Sequence, residues 1–220
     1  MKKVPIVMMM LAALFIFALP AQADFTIGGI TFADNAGADS LISYEGTYSN
    51  NSTGVLSAAQ LQGVLTDGLV STYAFLSTPS LLNYVNLGFT NNVLVNGPGN
   101  DLALFDLGDN AIFRLYSINI GGSTQDFSTT FTGITTNTPE NITYNINVAL
   151  IDLSSYGLAE GASISSVGIF IGMDQGVPKP SLAFIGTLQS VTAVPEPSTL
   201  LLMGSGLMGV VVFGRRKFKK

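Results

Sequence analysis

Apolar residues are distributed along the chain in two different patterns. Near each end they form one charge-free run, Ile6 to Leu19 and Thr199 to Phe213. Between the two runs they come in short bursts rich in Thr, Ile, Val, Phe and Tyr, separated by clusters of Gly, Asn, Asp and Ser. The bursts predict strands over Phe25 to Phe32, Leu41 to Tyr48, Tyr84 to Phe89, Leu102 to Asp106, Ala111 to Ile120, Phe127 to Ile134, Ile142 to Ile151, Ile164 to Ile171 and Leu182 to Val191. Ile142, Tyr144 and Ile146 alternate with Thr143, Asn145 and Asn147, a period of two that gives a strand one half-buried face. Phe113, Leu115 and Ser117 alternate less cleanly with Arg114, Tyr116 and Ile118. Only Ser57 to Leu65 has helical composition, enough for one or two turns, and Gly63 weakens it. Many short strands between turn signals predict an all-β fold, an antiparallel sandwich or barrel.

The end runs read differently. Lys2 and Lys3 precede Ile6 to Leu19, and Ala21-Gln22-Ala23 follows as an A-x-A cleavage site. This is the layout of a signal peptide over 1–23, with signal peptidase cutting after Ala23 to leave Asp24 first. Thr199 to Phe213 is 15 residues, roughly 22 Å as a helix, against a hydrocarbon core of about 30 Å. Such a segment spans only with local thinning or with basic side chains reaching the headgroups. Arg215, Arg216 and Lys217 follow it and resist translocation, so the preceding domain lies outside the cytoplasm.

The 170 residues from Asp24 to Ala193 form one domain with room for a sizeable core. The whole chain has a formal net charge of −5, but the basic residues sit at its ends. Residues 24–193 hold 13 acidic and 2 basic side chains, Arg114 and Lys179, a net of −11. A surface so poor in Lys and Arg has nothing to neutralise phosphates, which excludes a nucleic-acid partner. Cys and His are both absent. That excludes a disulfide framework, a thiolate or imidazole metal site, a Cys nucleophile and a Ser-His-Asp triad.

Val194-Pro195-Glu196-Pro197-Ser198, the short apolar helix and the terminal Arg-Arg-Lys, in that order, resemble the PEP-CTERM sorting signal. The resemblance implies a Gram-negative bacterium that makes exopolysaccharide, and an exosortase that removes the tail and passes the protein to the cell surface or matrix. It assigns Pro195, Glu196 and Pro197 as the recognition motif and Arg215, Arg216 and Lys217 as the retention flank, with the sorting signal over 194–220. A second resemblance covers the body. Ala58-Ala59-Gln60-Leu61, Leu65-Thr66-Asp67-Gly68 and Ser71-Thr72 are similar to the L-x-D-G segment of galactose-binding-domain-like jelly rolls, where a structural calcium often lies near the turn. The usual tryptophan after that turn is missing, with Tyr73 or Phe75 in its place. Asn96-Gly97-Pro98-Gly99-Asn100-Asp101-Leu102, followed by Phe105, resembles the G-P-G-x-D-L strand start of many exosortase-dependent surface proteins.

Hard oxygen ligands for calcium are available at Asp101, Asp106 and Asp109, at Asp34, Asn35 and Asp39, and at Asp67. Asp and Asn beside Gly and Pro are first of all turn formers. Glycoside hydrolysis needs two carboxylates about 5–9 Å apart; Glu45, Glu140 and Glu160 lie in no aromatic-rich motif. Lys179, between Pro178 and Pro180, reads as an exposed turn. Gly204-Ser205-Gly206-Leu207-Met208-Gly209 matches G-x-G-x-x-G but lies inside the apolar tail, where small residues favour helix packing over nucleotide binding. Asn50-Asn51-Ser52-Thr53 and Asn141-Ile142-Thr143 fit N-x-S/T and carry little weight in a bacterium.

The expectation is an exported, jelly-roll-like β-sandwich with an N-terminal signal helix and a short C-terminal membrane helix. It is no enzyme and has no resident cofactor, structural calcium apart. Its role is structural or adhesive in exopolysaccharide or biofilm. Its partners are signal peptidase, exosortase, transiently the membrane, and extracellular polysaccharide. Two alternatives stand beside it: a carbohydrate-active enzyme, which requires a cleft with facing carboxylates, and a permanently tethered binding domain, which retains the tail.

Overall fold

The computed structural model describes residues 24–50, 52–77, 83–108, 115–171 and 181–189, with only the backbone of Leu115. The expected signal helix over 1–23 and the membrane segment 199–213 lie outside these residues. So do Ala21, Ala23, Pro195, Glu196, Pro197, Arg215, Arg216 and Lys217. Among the described residues no helix is long and apolar enough to cross a membrane.

Two antiparallel sheets form a sandwich. The first runs β11 (Ser123–Ser128), β10 (Leu115–Ile120), β15 (Ser166–Ile171), β7 (Tyr84–Gly88), β3 (Ser40–Glu45). The second runs β12 (Thr130–Asn137), β13 (Thr143–Ile151), β9 (Leu102–Gly108), β16 (Ser181–Thr187), β6 (Ala74–Leu76), β4 (Tyr48–Asn50), β5 (Gly54–Val55). β1 (Phe25–Ile27) pairs with β2 (Ile30–Phe32), and β14 (Ser163–Ile164) with β8 (Leu94–Val95).

The space between the sheets is filled from both sides. Val85, Tyr116, Ile118 and Ile169 come from the five-stranded sheet; Leu102, Leu104, Ile151 and Ile185 come from the seven-stranded one. The other face of the larger sheet is covered by the β1–β2 hairpin, which places Ile27 and Phe32 against Phe105, Ile146 and Phe184. Phe32 meets Phe105 and Phe184 edge-on, at centroid distances of 5.9 and 5.3 Å. Edge-to-face pairs add about 0.5–1.5 kcal/mol beyond the area they bury. β9 alternates between these two cores: Leu102 and Leu104 enter one, Ala103 and Phe105 the other. That is why β9 and β16 are buried along their whole length and carry continuous apolar runs at Leu102–Phe105 and Leu182–Ile185.

The same double cover corrects the half-buried face expected of β13. Ile146, Asn147, Val148 and Ala149 are all buried, and a buried–exposed alternation appears only at the end of the strand, where Leu150 is exposed between Ala149 and Ile151. The single strand expected over Phe25 to Phe32 is a hairpin instead, because Gly28 and Gly29 both take positive φ, 58° and 84°, and turn the chain back with Ile27 opposite Ile30. The strand expected over Phe127 to Ile134 is split at Thr129 between the two sheets.

The helical segment is α1, Ala58–Thr66. Ser57 caps it in a reciprocal box with Gln60, and Leu61 and Leu65, four apart, fall on one face and enter the main core. Asp67 ends the helix and Gly68 follows at φ +73°.

Candidate functional site

Four of the residues singled out as oxygen donors line one cleft, of about 260 Å³. Asp34, Asn35 and Asp39 come from the β2–β3 connection, Asp67 from the end of α1, and Asn91 from the segment after β7. Phe25 and Phe184 supply its apolar wall, packed edge-on at 5.7 Å. The β2–β3 connection is fixed against β16, the Ala38 amide donating to the Ile185 carbonyl (3.0 Å) and the Thr187 amide to that of Ala36 (2.9 Å). Gly37 is required there, since a Cβ would stand 2.9 Å from the Phe184 ring.

Two carboxylates of this cleft accept hydrogen bonds from the protein itself, Asp39 from the segment after β7 and Asp67 from its own turn. Asp39 Oδ2 accepts from the amides of Thr90 (2.8 Å) and Asn91 (2.6 Å), and Oδ1 from the Thr90 hydroxyl (2.9 Å). Burial alone raises its pKa, but the hydrogen bonds from Asn91, Thr90 and Ser40 together outweigh burial and hold the carboxyl below its ordinary 3.8. Asp67 accepts from the Leu69 amide (2.8 Å) and the Thr72 hydroxyl (2.7 Å). The L-x-D-G turn therefore has a local explanation: Leu65 fills the core, Asp67 closes the turn and Gly68 supplies the left-handed residue. Tyr73 and Phe75, the aromatic pair after it, stack on each other, and Tyr73 is buried edge-on against Tyr144.

Asp101 and Asp106 are fully buried and serve separate networks. Asp101 Oδ1 accepts from the Gly97 amide (2.7 Å) and Oδ2 from the Leu153 amide (2.8 Å). Asp106 Oδ2 lies 3.3 Å from both the Tyr116 and Thr129 hydroxyls. Asp109 lies outside the described residues, as do Arg114 and Lys179. Among the described residues no group of three acidic side chains converges to hold a metal ion. Glu45, Glu140 and Glu160 do not line the cleft. Of the two N-x-S/T segments, the first has the Asn50 side chain, at the end of β4, accepting from Thr53, and the second has Asn141 at φ 64° just before β13.

A second surface was not apparent from the strand pattern. The register of the five-stranded sheet places Glu45, Tyr84, Phe170, Ser117 and Asp126 in one row across it, and Ser43, Asn86, Gly168, Asn119 and Thr124 in the next. Their neighbours Val85, Val167, Ile169, Tyr116 and Ile118 are buried in the core, so both rows lie on the outer face. Tyr84 and Phe170 stand with ring centroids 5.8 Å apart. Ser117 donates to Asp126, and Asn119 Nδ2 donates to Thr124 Oγ1 at 2.8 Å.

Residues 193–217 match the family model of the PEP-CTERM protein-sorting motif. No curated protein and no solved structure matches the chain. The motif is the substrate signal of an exosortase and marks an exported surface protein processed at the membrane.

Proposed function

We propose that this chain is a structural or adhesive component of exopolysaccharide, delivered to the cell surface or matrix of a Gram-negative bacterium and acting there as a binding domain, not as an enzyme. The observation that carries the reading is the sorting-motif match at 193–217 behind an acidic antiparallel sandwich. Signal peptidase acts first, after Ala23, and the apolar tail then holds the precursor at the membrane until exosortase cuts beside Pro195-Glu196-Pro197.

A binding role is supported by the half-buried Tyr84–Phe170 pair on the outer face of the five-stranded sheet, with hydroxyl and amide groups beside it, which suits sugar faces and sugar hydroxyls. The enzyme alternative has its cleft, with Asp34, Asp39 and Asp67 around it. A glycosidase proton donor needs a raised pKa, and hydrogen bonds shift Asp39 the opposite way, which makes that residue unsuited to the donor's role. The reading needs no resident cofactor, since the Asp39 carboxylate is held by hydrogen bonds from Thr90 and Asn91 and that of Asp67 by its own turn.

Binding of the full chain to a glycan array and to exopolysaccharide from the producing cells, with and without EDTA, tests this. Retention on polysaccharide in both conditions, without release of reducing sugar, is expected. Absence of binding in either condition overturns the adhesive role, and release of reducing ends restores the enzyme.

A further inference from the structure

We propose that the outer face of the five-stranded sheet is a binding surface for a polysaccharide carrying protonated amino groups, such as a partly de-N-acetylated amino-sugar polymer. This inference rests on the adhesive reading above and names its ligand class.

The first row, Glu45–Tyr84–Phe170–Ser117–Asp126, crosses all five strands. Four interstrand steps of about 4.8 Å make it roughly 19 Å long. Its two ends are carboxylates, exposed at Glu45 and Asp126, and its centre is the Tyr84–Phe170 pair. Aromatic faces attract ammonium groups through the ring quadrupole, and exposed carboxylates pair with them. In the second row Gly168 leaves the middle of the sheet without a side chain, between the polar residues Asn86 and Asn119. Neither row holds a basic residue, and residues 24–193 carry a net of −11. That field repels uronate or sulfated polymers and concentrates cationic ones at the surface. The buried inner face of the same strands makes the platform rigid, so little ordering entropy is lost on binding.

The test is affinity of the full chain for a glucosamine oligomer, its N-acetylated counterpart, an acidic polyuronate and polylysine, at mildly acidic pH and low salt. The expected order places the glucosamine oligomer about tenfold tighter than the N-acetylated one, with no binding of polyuronate. The double variant Glu45→Gln, Asp126→Asn keeps the shape of the face and is expected to lose about tenfold for the glucosamine oligomer alone. Tyr84→Ala is expected to weaken it by about threefold to fivefold. Equal affinity for both oligomers, or unchanged affinity in the double variant, overturns the amine-specific site while leaving the adhesive reading intact. Polylysine bound through the same residues as tightly as the glucosamine oligomer overturns the glycan as the occupant. Failure to bind any glycan, including the producer's own exopolysaccharide, overturns both readings.

Discussion

The Leu153 amide donates to Oδ2 of Asp101 at 2.8 Å, in a site that buries Asp101 completely. The other carboxylate oxygen takes the Gly97 amide, while the Asp101 backbone amide donates to Ile151 and its carbonyl accepts from Leu188. One side chain thus ties the Gly97-Pro98-Gly99 turn and the start of β9 to the 3-10 turn Leu153–Tyr156. The G-P-G-x-D-L segment is a structural knot, with its Asp a double acceptor.

Replacing Asp101 by Asn tests this. An amide NH2 would face one of the two N–H donors, leaving a buried donor unsatisfied. A loss of about 1–3 kcal/mol is expected in denaturant unfolding. A stability equal to that of the parent protein would show that the two hydrogen bonds carry no net weight.

Gly63 sits exposed within α1, and a Cβ there meets nothing within 4 Å. Gly63→Ala should therefore stabilise the fold by about 0.5–1 kcal/mol, through backbone entropy and helix propensity alone. A rise in the unfolding midpoint with unchanged denaturant sensitivity is the expected signature.

Gly28 has the opposite character. Its φ is +58°, and an added Cβ would stand 2.9 Å from Thr132 and 3.0 Å from Phe105. Gly28→Ala should cost about 2 kcal/mol or more, combining left-handed strain with displacement of the hairpin from the larger sheet. Near-neutral stability would mean that the hairpin is not held in this position.

Asp39 gives a pH dependence of defined sign. Its folded pKa lies below the ordinary 3.8, so the unfolded chain takes up the proton more readily. The stabilisation is complete above about pH 4 and falls as pH drops through the folded pKa. Unfolding curves of the parent protein and Asp39→Asn should differ by a constant amount near neutral pH and converge in acid. A difference that grows on acidification would reverse the assigned direction.

The longer strands, β3, β7, β9, β10, β12, β13, β15 and β16, were readable as runs of strand-forming residues, whereas β5, β6 and most of β11 lay outside any such run. The pattern failed where a strand is covered twice, as at Val148 and Ala149, since double burial erases alternation. Turn chemistry at Gly28-Gly29 was present in the sequence but was overridden by the apolar run around it. Asp34, Asn35, Asp39 and Asp67 were legible as oxygen donors, yet their meeting in one cleft depends on the β2–β3 connection lying along β16, a long-range pairing no local pattern encodes. Tyr84 and Phe170 each stood in an expected strand. Only the β7–β15 register makes them neighbours.

The sorting motif is tested by intact mass. Protein recovered from the surface or matrix of the producing cells should begin at Asp24 and end near Pro195. A mature mass that retains Lys220 would contradict exosortase processing and return the tail to the role of a permanent anchor.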